Sequence, residues 1–195
     1  MGEPKKKGES LTQTAKSYIE SLVKQIVFNY KTEINSKYLD KGIMVEDDSI
    51  ELYNEVRFTN YQKNEVRLFN EWIEGECDIN APDKIIDIKS SWSKDTFIAT
   101  PDEINDKDYE WQLRGYMWLY NKDNSELAYC LVDTPDTLLE WENNLSIHHC
   151  SDIAPELRLT TKTFKRDTAL EEKIKEKVKA CRLYASEYES KILNK

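Results

Sequence analysis

Residues 75–91 hold the densest set of groups able to do chemistry. Gly75-Glu76-Cys77-Asp78 leads to Ile85-Ile86-Asp87-Ile88-Lys89-Ser90-Ser91 through Ala81-Pro82-Asp83-Lys84. That connection reads as a hairpin loop, because Pro and Asp favour turns. Pairing its flanks sets Asn80 against Ile85, Ile79 against Ile86, and Asp78 against Asp87. Directly opposed residues lie about 4.5–5.5 Å apart at Cβ, and like charges there repel unless a cation lies between them. Side chains alternate along a strand, so Asp87 and Lys89 share a face while Ile86 and Ile88 point into the core. Two carboxylates beside an ammonium group suit a hard divalent cation whose other ligands are waters and phosphate oxygens. Such an ion activates water and stabilises charge on a leaving oxygen, as hydrolysis of a phosphodiester requires. Lys89 could polarise the attacking water or hold a phosphate oxygen. The same register sets Glu76 opposite Lys89, so an ordinary ion pair worth little is the alternative.

The elements that must position these groups are legible from periodicity. Leu11 to Tyr30 has apolar residues at helical spacing. A second helix is expected from about Gly42 to Val56. Strands follow over Glu65–Ile79 and Lys84–Lys89, then a third helix over about Lys107–Tyr120. Glu126–Val132 reads as a strand and Thr134–Asn143 as a helix with Pro135 near its start. Leu157–Phe164 fits an edge strand, and Leu170–Ile192 a long final helix with an apolar stripe. This order predicts a mixed α/β domain with a small central mixed sheet flanked by helices. Residues 11–195 are expected to form a single domain behind a disordered tail over residues 1–10.

Two polar residues fall on apolar helical faces. Glu46 shares a face with Ile43, Ile50 and Tyr53. A glutamate there needs a partner, and a metal is one; a helix rotated to expose it is the alternative. Gln112 lies with Tyr109, Tyr116 and Leu119. Its amide can donate to a phosphate or orient a water, or make a buried bond to backbone. Arg114, on another face of that helix, contacts nucleic acid or is simply solvated. Lys162, Lys165 and Arg166 form a modest basic cluster.

Composition narrows the classes. The chain has 195 residues, 33% of them charged, and a formal net charge of -9. Its mean hydropathy is -0.75. No apolar run is long enough to span a bilayer. The acidic balance argues against a generally basic nucleic-acid coat, but a local basic patch beside a metal site is compatible with it. It predicts weak, salt-sensitive DNA binding when metal is absent. Cys77, Cys130, Cys150 and Cys181 are scattered without a Cys-x-x-Cys pair, which disfavours zinc and iron–sulfur sites. His148-His149-Cys150 lacks a second pair of ligands. The N-terminal residues show no apolar signal core, so the expectation is a reducing cytoplasm, the host's if the gene is a phage's.

Taken in order, Gly42-x-x-x-Glu46, Gly75-x-x-Asp78, Asp87-Ile88-Lys89 and Gln112-x-x-x-Tyr116 resemble the PD-(D/E)XK nuclease superfamily. The pattern is similar to the phage-type exonucleases related to lambda exonuclease and YqaJ, with RecB-like features in the glutamine-to-tyrosine spacing. The resemblance spans about residues 42–120 and implies a restriction-endonuclease-like core. It further implies that Asp78, Asp87 and the Ile88 carbonyl ligate one or two Mg²⁺ or Mn²⁺ ions. Glu46 would bind or orient a metal, and Lys89 would assist the water. Gln112 and Tyr116 would support the site and the substrate strand, with Arg114, Lys162, Lys165 and Arg166 as further substrate contacts. The implied activity is exonucleolytic hydrolysis at linear DNA ends, in recombination or end resection. A single-strand annealing protein and a homo-oligomeric ring are the implied partners. The family often has Glu where this chain has Asp87. A structure-specific or restriction-like endonuclease, and a non-catalytic DNA-binding module, are the competing functions.

Overall fold

The computed structural model describes Gly2, residues 8–105 and residues 107–194, the Asp108 side chain excepted. Most of the expected tail, with Lys5-Lys6-Lys7, lies outside the described residues. The chain divides into two compact units, residues 1–34 with 167–195, and residues 35–166. The first pairs α1 (Gln13–Val27) with α5 (Thr168–Leu193). Leu11, Ile19 and Val23 bury against Ala180, Cys181, Tyr184 and Tyr188, part of the stripe expected on the last helix. Thr12 caps α1 by accepting from the Ala15 amide at 3.1 Å, and Asp167 caps α5 from Ala169 at 2.9 Å.

The second unit carries the chemistry-bearing residues. Its elements are α2 (Lys37–Met44), α3 (Glu46–Arg57), β1 (Leu68–Phe69), β2 (Glu74–Gly75), β3 (Ile79–Asn80), β4 (Lys84–Ser90), α4 (Lys107–Tyr120), β5 (Asn124–Cys130) and β6 (Leu159–Lys165). A four-stranded sheet runs β3-β4-β5-β6, and β1 and β2 form a separate two-stranded ribbon. β4 and β5 are parallel, and the other neighbours are antiparallel. A parallel pair needs a crossover, and α4 is that crossover. The mixed sheet flanked by helices is the architecture expected from the sequence, with β6 at an edge.

Both faces of the sheet are covered. On one, Val45, Ile50, Leu52 and Tyr53 pack on Ile79, Ile86, Ile88 and Ala128. On the other, Leu113, Met117 and Tyr120 from α4 pack on Ile85, Leu127 and Tyr129. β4 therefore buries alternate residues on opposite sides, as a central strand must. Asp87 and Lys89 share the α4 face, and Ile86 and Ile88 the α3 face.

Three expected elements differ. The strands expected over Glu65–Ile79 are three two-residue pieces, β1, β2 and β3, and Asn70 turns the chain between the first two by accepting from the Trp72 and Ile73 amides at 2.8 and 3.0 Å. The helix expected over 42–56 is two helices, broken at Val45 (φ -113°, ψ 17°), which turns its side chain into the core. Glu46, Asp47 and Asp48 occupy the first turn of α3, where acids favour a helix N-terminus. That triplet was the signal for the break. Ile43 consequently lies on a different helix from Glu46 and is 67% exposed, not core. The helix expected over Thr134–Asn143 is only a single turn at Asp136–Leu138. Thr134 bonds elsewhere: its amide donates to the His148 carbonyl at 3.0 Å and its hydroxyl to the Trp92 carbonyl at 2.9 Å. Cross-chain partners have replaced the ladder of a helix.

Candidate active site

The hairpin adopts the register expected from its turn residues. Ile79 pairs with Ile86 and Asn80 with Ile85. One step outward the ladder gives way to a side-chain contact: Asp78 Oδ2 accepts from the Ile88 amide at 2.6 Å. Asp87 is 1% exposed, and its Oδ2 touches Lys89 Nζ at 2.5 Å without a directed hydrogen bond. Lys89 therefore pairs with Asp87, not with Glu76. A cleft of about 640 Å³ opens here, lined by Glu46, Asp78, Ile88 and Lys89 among others.

The electrostatics are those of two carboxylates forced together. Burial, followed by the charge of Asp87, pushes Asp78 up to about 7, against the pull of the Ile88 amide and Lys89. Burial also raises Asp87, opposed by Lys89. For Lys89 burial works against the charge, but Asp87 more than offsets it and the ammonium is held above its ordinary value. Groups coupled this way titrate as a pair. A hard cation would relieve the repulsion. The donor set fits one: two neighbouring carboxylates with few protein donors, Asp78 on the Ile88 amide and Asp87 on Lys89. Among the described residues no three acid, imidazole or thiol side chains converge into a complete cage. Two carboxylates with remaining positions for water and phosphate match Mg²⁺, which keeps several waters.

Glu46 reaches the cleft from the first turn of α3, where its carboxylate pairs with Lys63 at 2.6 Å. It would have to leave Lys63 to ligate an ion directly. On α4, Gln112 Nε2 donates to the Tyr116 hydroxyl at 2.8 Å. The Tyr116 ring lies against Gly75, where an added Cβ would meet the ring at 2.5 Å. Glycine at the head of Gly75-x-x-Asp78 thus admits an α4 tyrosine beside the hairpin.

The expected cationic contacts do not join the cleft. Arg114 pairs with Glu110 at 2.5 Å and donates to the Lys165 carbonyl at 3.1 Å. Lys162 donates to the Ile104 carbonyl at 2.6 Å, and Arg166 to Asn121 at 2.8 Å. Lys165 is exposed at the end of β6. Lys162 and Lys165 are three apart on one strand and project to opposite faces, so the basic cluster is divided. His148 is buried, with Nδ1 at 3.2 Å from both the Thr134 hydroxyl and the Trp92 carbonyl, in a structural role.

Sequence reasoning passed over Lys41. This lysine is 1% exposed, and its ammonium donates to the carbonyls of Ser91 (2.6 Å), Trp92 (3.1 Å) and Val132 (2.9 Å) and to the Thr134 hydroxyl (2.8 Å). It ties the exit of β4 to the exit of β5, directly behind the cleft wall. Burial pulls it down to about 8. Its partners are mostly backbone oxygens, which leave no mark in a sequence. Ser49 and Ser90, 2.9 Å apart, add a second tie between α3 and β4.

No protein-family model and no curated protein matches the chain. Among solved structures it is similar to a phage-related exonuclease from Haemophilus somnus 129PT. The identity is 35% and the TM-score 0.89, over 99% of this chain and 91% of that one. It is also similar to an alkaline exonuclease, LHK-Exo, from Laribacter hongkongensis, at 17% identity and a TM-score of 0.66, over 95% and 87% of the two chains. The complex of LHK-Exo with dAMP gives 18% and 0.64 over 90% and 82%. At that identity LHK-Exo speaks for the fold alone. The Haemophilus likeness runs nearly end to end at an identity that carries family membership, and it agrees with the motif order on the sheet. This chain is therefore a nuclease, belonging to the YqaJ-like phage exonucleases of the PD-(D/E)XK superfamily.

Proposed function

We propose that the protein is a metal-dependent deoxyribonuclease that removes nucleotides from the ends of linear DNA, leaving 5′-phosphates, in phage-type recombination or end resection. The observation that carries this reading is the placement of Asp78 on the Ile88 amide at 2.6 Å, with the buried Asp87 paired to Lys89 at 2.5 Å, at one cleft. Asp78, Asp87 and the Ile88 carbonyl would hold Mg²⁺ or Mn²⁺, one or two ions, with Glu46 joining directly or through water. When bound, the ion supplies a more acidic water and charge stabilisation at the leaving oxygen. The chain's own groups do the rest. Lys89, now paired with Asp87, would donate to the attacking water or a non-bridging phosphate oxygen. The Gln112–Tyr116 pair, locked against Gly75, holds the α4 wall in place. Arg114, Lys162, Lys165 and Arg166 lie outside the cleft lining, so any contact of theirs falls further along the DNA. A single-strand annealing protein and a homo-oligomeric ring fit the same reading. So does a cytoplasmic setting, supported by four free cysteines.

The test is Mg²⁺-dependent release of labelled nucleotides from linear and from covalently closed circular DNA. Wild type is expected to degrade linear DNA alone, with chelation abolishing release. Asp87→Asn should lower the rate by at least about 100-fold while keeping its circular dichroism, since even residues behind a metal ligand cost 10–100-fold. Equal rates for the two proteins would overturn the site, and cleavage of the circle would make the enzyme an endonuclease.

A further inference from the structure

The cleft is lined for more than a phosphate. Beside Asp78 and Lys89 stand Tyr38, Leu39, Ile43 and Trp92. Tyr38, Leu39 and Ile43 are 59%, 49% and 67% exposed along α2, an apolar rim left open to water. Tyr38 is exposed yet held: its ring meets Trp92 edge to face at a centroid distance of 5.3 Å and 76°. Trp92 in turn meets the buried His148 ring at 5.2 Å and 74°. A phosphate gains nothing from such a rim, whereas every nucleobase has a π-face that stacks on an aromatic ring.

Charge points the same way. Lys89 is the one cation among the described lining residues, and Asp87 already neutralises it. The lining also carries Glu46 and Asp78, and the chain bears a net charge of -9. Lys37 lies over the Tyr38 and Trp92 rings, 5.6 and 4.7 Å from their centroids, but pairs with Glu142 at 2.5 Å, so phosphate neutralisation, the usual source of affinity for nucleic acid, is small here. The volume of about 640 Å³ falls among pockets that hold a drug-sized ligand, the scale of a nucleotide. A base inside a duplex is paired and stacked on both faces, so it must first be unpaired to lie on a protein ring.

We propose that Tyr38, held by Trp92, stacks the base next to the scissile phosphate. This rests on the cleft being the nuclease site. Stacking on one ring is worth about 1–3 kcal/mol per base, so its loss is expected to weaken binding about tenfold.

The test measures binding of a labelled oligothymidylate, and of the same backbone with abasic sites, by fluorescence anisotropy in Ca²⁺. Wild type should bind the intact strand about tenfold more tightly than the abasic one. Tyr38→Phe should keep that difference and Tyr38→Ala should erase most of it. Equal binding of both strands by wild type, no binding of either, or a difference that survives Tyr38→Ala would each overturn stacking. The abasic comparison needs no variant, so misfolding cannot mask the result. Degradation in Mg²⁺ is read separately: a retained intact-to-abasic difference without any degradation supports stacking and overturns the nuclease role of the cleft.

Discussion

Asp78 and Asp87 are held together by the hairpin at a cost that the metal-free protein bears. An acid whose pKa is raised on folding keeps a proton that the unfolded chain has released. Stability from Asp78 is thus full below about pH 4 and is lost as pH rises through about 7. With a chelator present, Asp78→Asn is expected to be more stable than wild type at pH 8 by at least about 1 kcal/mol, because one pKa unit is worth about 1.4. The difference should vanish at pH 4. Added Mg²⁺ or Mn²⁺ should stabilise wild type more than the variant. Thermal melts across pH check all three; a variant less stable than wild type at pH 8 would show that the pair is not under repulsion. The residue types were readable in advance, and so was the Ile79–Ile86 and Asn80–Ile85 register. That Asp78 would take the Ile88 amide was not, because it depends on where β3 ends.

At the scale of elements, the site is built by α4 and α2 as much as by the hairpin. Gly75→Ala would place a methyl 2.5 Å from the Tyr116 ring, which the Gln112 bond restrains. Overpacking of this kind costs about 1–3 kcal/mol, and the expected melt shift should shrink when Tyr116→Ala is added. A Gly75→Ala protein as stable as wild type would refute that packing. Lys41→Met should cost about 3 kcal/mol or more, since it strips a charged donor from three carbonyls and a hydroxyl. Urea unfolding measures it. Periodicity found α4 and β4 almost to the residue. It joined only the end of α2, Gly42–Met44, to α3 and left Lys37–Lys41 unassigned, and one buried residue, Val45, decides the break.

For the whole molecule, charge sets the terms of substrate binding. A net charge of -9 repels a polyanion, and the cleft adds two carboxylates. Chelation is expected to weaken DNA binding by at least about 100-fold at 0.15 M salt, and any residual binding should fall further as salt rises. Anisotropy with and without EDTA measures it; unchanged affinity would move the DNA site away from the carboxylates. Among the described residues, no helix is long and apolar enough to cross a membrane.

Composition, turn chemistry and hydrophobic period alone determined the mixed α/β class, the hairpin register and the residues that could bind a cation. All three are local properties, set within a few residues along the chain. Only the tertiary structure decided which charges were already paired, that Lys162 and Lys165 diverge, and that Tyr38 and Trp92 line one cleft with Lys41 bonded behind its wall. Those facts join residues up to 93 positions apart, as Lys41 is from Thr134. Such pairings are chosen by packing over the whole domain, which no short window of sequence contains.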